Sequence, residues 1–129
     1  MKHDLCEFCI STIVERRRLE DFALKGRGKF TEGREWKTGK RLFEESRKAG
    51  TSLPVILSDA AYNSERLLLW GILQKIEMHD DQTIVQLSDI QRIRGNHGRQ
   101  ELTLRSSGKL IKPNFIRPYA ICHTPKFLK

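Results

Sequence analysis

The sequence lacks any long apolar run. Its most aliphatic stretches, residues 53–57 and 67–73, fall far short of the roughly 20 residues that a membrane-spanning helix needs. Acidic residues stand near the N-terminus, where a secretory signal would carry its apolar segment. No membrane partner is expected, and the expected location is the cytoplasm. Cysteine is scarce and odd in number, three residues in a chain of 129, which argues against a disulfide framework and for reduced thiols. Internal repeats and linkers rich in Pro, Gly or Ser are also missing, so a single domain is expected over 1–129.

Signatures of catalysis are equally sparse. Gly26, Arg27, Gly28 and Lys29 carry neither the full phosphate-loop pattern nor the apolar strand that should precede it. Asp59, Glu65 and Lys75 can be combined into a nuclease-like set only by free choice, and no nucleophile has a histidine at a telling distance. No catalytic residue is assigned. The sharpest local pattern is Cys6-Glu-Phe-Cys9, a spacing that can put two thiolates on one zinc ion or form a redox pair. A second ligand pair is not evident. His3 sits at the terminus, and Cys122 and His123 are adjacent, which on a strand sends them to opposite faces. No cofactor is assigned; zinc on Cys6 and Cys9 stands as the alternative to packing thiols.

What the sequence does have is positive charge. A formal charge of +8, with 31% charged and 38% hydrophobic residues, describes a globular chain that attracts polyanions. Residues 1–50 and 101–129 hold nearly all of the surplus. This pattern predicts a basic helical region over 1–50 and a strand-rich core over 51–129, with the middle of the chain close to neutral.

Thr12 and Glu15 have the T-x-x-E spacing of a capping box, and Val14, Leu19, Phe22 and Ala23 follow at helical spacing up to Gly26, predicting a helix over 13–25. Within it, Arg16, Arg17 and Arg18 cannot all face one way. Residues 25–37 contain three glycines and five basic residues and read as an exposed loop. Thr38 can cap a second helix that ends at Gly50. Short aliphatic runs at 54–57, 67–76, 83–87, 101–105 and 119–122 read as strands, with turns at 79–82 and 106–108 that favour antiparallel hairpins. The expected class is α+β: two N-terminal helices with a small curved antiparallel sheet or barrel.

Aromatic residues among cations suggest a site. Trp36 has Arg34, Lys37, Lys40 and Arg41 nearby in sequence, and a base stacked on an indole with its phosphate on Arg or Lys is ordinary chemistry. Trp70, Tyr119 and Tyr62 are further candidates for such a pocket. Arg27 and Lys29 extend the first basic segment. Arg92, Arg94, Arg99 and Arg105, broken by Gly95, Asn96, His97 and Gly98, form a second, suited to phosphate contact or to solvation. Asp59 ends an apolar run and can accept a hydrogen bond from an exocyclic amine or cap a loop.

From Leu53 to Leu128 the order of segments resembles the PUA-like barrel superfamily, especially its EVE and ASCH branches. The resemblance rests on Leu-Pro-Val-Ile-Leu at 53–57, Leu-Leu-Trp-Gly-Ile-Leu at 68–73, and the short strands after them. The Trp70-Gly71 step is similar to the strand at which such barrels turn back across a ligand cleft. The resemblance implies a domain that binds RNA or modified bases in DNA, through an aromatic-lined pocket with basic rims. The readings are then a nucleic-acid-binding module for DNA or RNA, a regulatory subunit docking on an acidic protein partner, and a metal-dependent nuclease with an unrecognised site.

Overall fold

A computed structural model describes residues 4–59, 66–111 and 119–128. The elements are β1 (Phe8–Val14), α1 (Arg16–Lys25), β2 (Gly28–Glu32), α2 (Lys37–Ala49), β3 (Pro54–Asp59), β4 (Leu67–His79), β5 (Gln82–Arg92) and β6 (Tyr119–His123), with single 3₁₀ turns at Arg99–Glu101 and Lys126–Leu128. The strands form one six-stranded sheet in the order β2-β5-β4-β3-β1-β6. The fold is mixed α+β, as expected. The sheet is not wholly antiparallel, because β1 and β3 run parallel, from Ile10 beside Val55 to Val14 beside Asp59. That pair needs a crossover, and α1, β2 and α2 supply it.

The N-terminal region departs most from expectation. Residues 8–14 are rich in β-branched and apolar side chains, and both faces of the strand are covered: Ile10 and Val14 pack on one side and Cys9 on the other. A helix starting at 13 would leave one of these sets exposed. The strand therefore wins, and Thr12 is buried within it rather than capping anything. Helix α1 starts at Arg16 after Glu15, which makes no side-chain cap, and stops at Gly26 in the left-handed region with φ 71°. It buries Leu19 and Phe22.

Residues 25–37 are likewise not a loop throughout. Phe30 anchors β2 against β5 opposite Val85. Trp36, not Thr38, precedes the first turn of α2, which ends at Gly50 as expected. Thr83 of β5 pins the connection: its hydroxyl accepts from the Trp36 N–H at 2.9 Å and donates to the Arg34 carbonyl at 2.6 Å.

Trp36 is fully buried, and its contacts reveal the curl of the sheet. Its ring stacks on Tyr119 of β6 (centroids 4.7 Å apart, 20° between planes) and meets Phe30 of β2 edge-on at 6.1 Å. These are the two outermost strands. In a flat sheet of six strands they would lie about 24 Å apart, yet one indole touches both. Residues 101–105, read as a strand, instead form the end of a 3₁₀ turn followed by isolated bridges, Thr103 to Leu110 and Leu104 to Cys122.

The long β4–β5 hairpin closes at Asp80 and Asp81, both with positive φ (48° and 64°), as a two-residue turn matched to strand twist requires. Its register shifts twice, between Trp70 and Ile72 and between Leu73 and Lys75. Gly71 lies at the first shift, where a β-carbon would come within 2.8 Å of Ile90 Cγ1 and 3.0 Å of the Ser88 carbonyl oxygen. No helix among the described residues is long and apolar enough to cross a membrane.

Two substitutions check this packing by urea denaturation. Trp36→Ala is expected to cost about 3–5 kcal/mol, as for other large buried aromatics. Gly71→Ala is expected to cost about 1–3 kcal/mol, because the carbonyl it would crowd belongs to a paired strand.

Candidate nucleic-acid interface

The strand registers bring several chain ends to one end of the sheet. Val14 pairs with Asp59, Ser58 with Leu67, and Leu69 with Arg92, so the ends of β1, β3 and β5 meet the start of β4. Helix α1 departs from the same end. Between α1 and the β4–β5 pair lies a cleft of about 400 Å³. Its α1 wall presents Arg16, Leu19, Glu20 and Ala23, and the opposite wall presents Arg66 to Leu69 together with Arg92, Ile93 and Gly95. The floor is thus aliphatic and the rim is cationic.

Arg16, Arg66 and Arg92 come from three different elements. Arg16 is anchored: its Nε donates to Asp59 Oδ2 at 2.7 Å, with the Asp59 side chain fully buried and that of Arg16 58% exposed. Arg66 and Arg92 are exposed, and neither joins an ion pair among the described residues. Among the described residues, Glu20 is the one acid on the lining. The first turn of α1 carries no acidic residue, so its free N–H groups reinforce the positive potential at this end.

The sequence-derived candidates separate into those at the cleft and those elsewhere. Arg92 lines the cleft, and Arg94 is exposed next to it. Arg27 follows Gly26, whose carbonyl accepts from the Ile90 N–H, so it stands at the same end of the sheet. Lys29 is exposed on the face of β2 opposite to the buried Phe30. Arg34 and Lys37 lie beyond the far end of β2, where Glu32 pairs with Thr83, and Lys37 is 3.9 Å from Glu35. The continuous basic loop expected over 25–37 is therefore split between opposite ends of the domain.

Two of the aromatic candidates lie in the core rather than at an open pocket. Trp36 is 0% exposed and Trp70 is 8% exposed; Trp36 belongs to one core cluster and Trp70 to the other. Tyr119 is half-buried and covered by the Trp36 ring. Trp36 and Trp70 offer no free face for a base, because each is packed into a core cluster, and Trp36 takes one face of Tyr119. Arg99, expected in an exposed tip, is also buried (6% exposed) within a 3₁₀ turn. Arg105 lies over the Phe8 ring at 5.3 Å. Asp59 engages Arg16. Tyr62, Glu65 and His3 lie outside the described residues.

Sequence reasoning overlooked Arg66 and gave Arg16 no role beyond its place in a basic run. The usable signal was the pairing of a strand-ending Asp59 with an arginine immediately after a parallel neighbour strand, and an arginine directly before the apolar start of β4.

The cysteines sit in the core. Cys6 precedes β1, separated from it by a bend at Glu7, and packs with one cluster, while Cys9 within β1 packs with the other. Among the described residues no three metal-ligating side chains come together. Cys9 instead faces Cys122 across β1 and β6. Burial pushes the Cys9 thiol well above its ordinary range. It lifts Cys122 from 9.0 to about 12, with the Arg99 charge opposing part of the rise.

Compared with known proteins, the chain matches no family model, no curated protein and no solved structure.

Neutral buried thiols have a measurable consequence. Because the folded-state pKa of Cys122 is raised, its contribution to stability is complete below about pH 9 and declines as the pH climbs toward 12. Alkaline unfolding titrations should therefore show a shallower loss over that window in Cys122→Ala than in the parent. In native protein at neutral pH, a thiol reagent should modify Cys6 well before Cys9 or Cys122; equal rates at all three would contradict the burial described.

Proposed function

We propose that this protein binds nucleic acid, with the cleft between α1 and the β4–β5 hairpin as its contact site. The observation that carries the reading is the convergence of Arg16, Arg66 and Arg92 around an aliphatic floor. Guanidinium groups grip phosphate oxygens in pairs and also stack on base faces, so a cleft with several arginines can hold both parts of a nucleotide. The overall charge of +8 draws a polyanion toward that end.

The resemblance to PUA-like barrels supports the same reading. In this chain the base would rest on arginine planes and leucine side chains, since no aromatic residue lines the cleft among the described residues. An unusual or modified base is the finer form of this proposal, and single-stranded or extruded nucleotides suit a cleft of this size better than a duplex groove.

Fluorescence anisotropy with short single- and double-stranded DNA and RNA across a salt series tests it. Affinity for a single strand should fall with salt at a log–log slope of about −0.7 for each phosphate neutralised. Arg66→Ala and Arg92→Ala should each reduce that slope by about one phosphate's share, and Arg34→Ala should leave it unchanged. Absent binding, or binding indifferent to salt, contradicts the proposal and favours an acidic protein as the partner.

A further inference from the structure

We propose that Asp59 sets Arg16 as a preformed fork for a phosphate group, making Arg16 the residue that fixes where an anion sits in the cleft. This rests on the cleft assigned above but goes beyond general basicity. Asp59, the last residue of β3, is fully buried. A carboxylate in that position demands a partner, and Arg16 supplies its Nε–H at 2.7 Å.

A guanidinium carries five N–H donors in one plane. With the Nε edge, which includes one parallel Nη–H, turned toward Asp59, the end-on pair of Nη–H donors is left free of that carboxylate, and Arg16 remains 58% exposed where it lines the cleft. An exposed arginine ordinarily loses rotamer freedom when it binds. Arg16 has already given up much of that freedom to Asp59, so less is lost on binding. Arg66 and Arg92, which have no ion-pair partner among the described residues, supply diffuse attraction around this fixed point. Glu20, one helical turn after Arg16 on the same wall, repels an anion from the α1 side and biases it toward the three guanidiniums.

The occupant is a phosphate group because its oxygens match a planar two-point donor, a fit that a lysine ammonium cannot reproduce. That group is either a terminal phosphate or an internal diester of a strand; the chemistry is shared and the test separates them.

The test compares Arg16→Lys, which keeps the charge and loses the fork, with Arg17→Lys, an exposed neighbour that does not line the cleft. Arg16→Lys should weaken oligonucleotide binding by about tenfold or more with little change in salt slope, and Arg17→Lys by less than about twofold. Asp59→Asn should weaken binding in the same direction. Because Asp59 is buried and that variant can fail to fold, Arg16→Lys at an exposed position decides the matter. Oligonucleotides with a 5′-phosphate or a 5′-hydroxyl identify the source: preference for the phosphate supports a terminal group, and equal binding an internal one.

Nitrogen-15 NMR of the Arg16 Nε–H, titrated with pyrophosphate alone, gives a readout independent of nucleic acid. A shift with pyrophosphate in a protein that binds no oligonucleotide keeps the fork and removes the nucleic-acid reading. Parent-like binding by Arg16→Lys, together with an unmoved Arg16 signal, overturns the fork and leaves the nucleic-acid reading standing.

Discussion

The indole of Trp36 is the contact on which the shape of this domain depends. It lies between Phe30 on one outer strand and Tyr119 on the other, and it is fully buried. Its indole N–H has no hydrogen-bond partner among the described residues, and the residue is held by ring packing and by its backbone bond to Thr83. A chain of aromatic contacts from Phe22 through Phe30 to Trp36 and Tyr119 then ties α1 to both edges of the sheet. Curling of the sheet around one side chain packs one core cluster on one face, and the second covers the opposite face beneath the C-terminal segments.

The parallel pair at the centre of the sheet places the cleft. Once β1 and β3 run parallel in the middle of a curled sheet, their C-terminal ends come together, and the helix leaving β1 must start beside the end of β3. Arg16 at the start of α1 therefore meets Asp59, an encounter set by the parallel register that pairs Val14 with Asp59. The hairpin contributes the other wall because β5 ends, at Arg92, beside the start of β4. Arg16, Arg66 and Arg92, dispersed along the sequence, are thus brought by topology to one end of the sheet. Buried Asp59 neutralises part of their charge while orienting what remains.

The second half of the fold was the more legible from sequence. Residues 54–57, 67–76 and 83–87 are aliphatic runs with turn chemistry between them, and the structure extends each into a strand. The end of α2 at Gly50 was also legible, since glycine relieves the left-handed φ of 74° found there. The first half misled because local signals competed with distant partners. Thr12 and Glu15 have the right spacing for a cap, but burial of residues 8–14 between β3 and β6 outweighs a single capping bond. Trp36 looked like a binding residue because its sequence neighbours are cationic; the indole nonetheless points inward. Arg66 gave no periodic or compositional signal, and its significance depends on β4 starting beside the end of β3. Asp59 was legible as the end of a strand but not as a partner of Arg16, because 43 residues separate them.

The central claim is that the arginine-rimmed end of the sheet, and no other surface, is where this protein meets a nucleic acid. Backbone amide chemical-shift mapping with a saturating short oligonucleotide tests it most directly. Perturbations are expected to concentrate in residues 16–23, 66–69 and 92–95, with little change around the Asp80–Asp81 turn at the other end of the hairpin. Perturbations centred on residues 34–41 or on that distal turn, with the cleft residues unmoved, would contradict it.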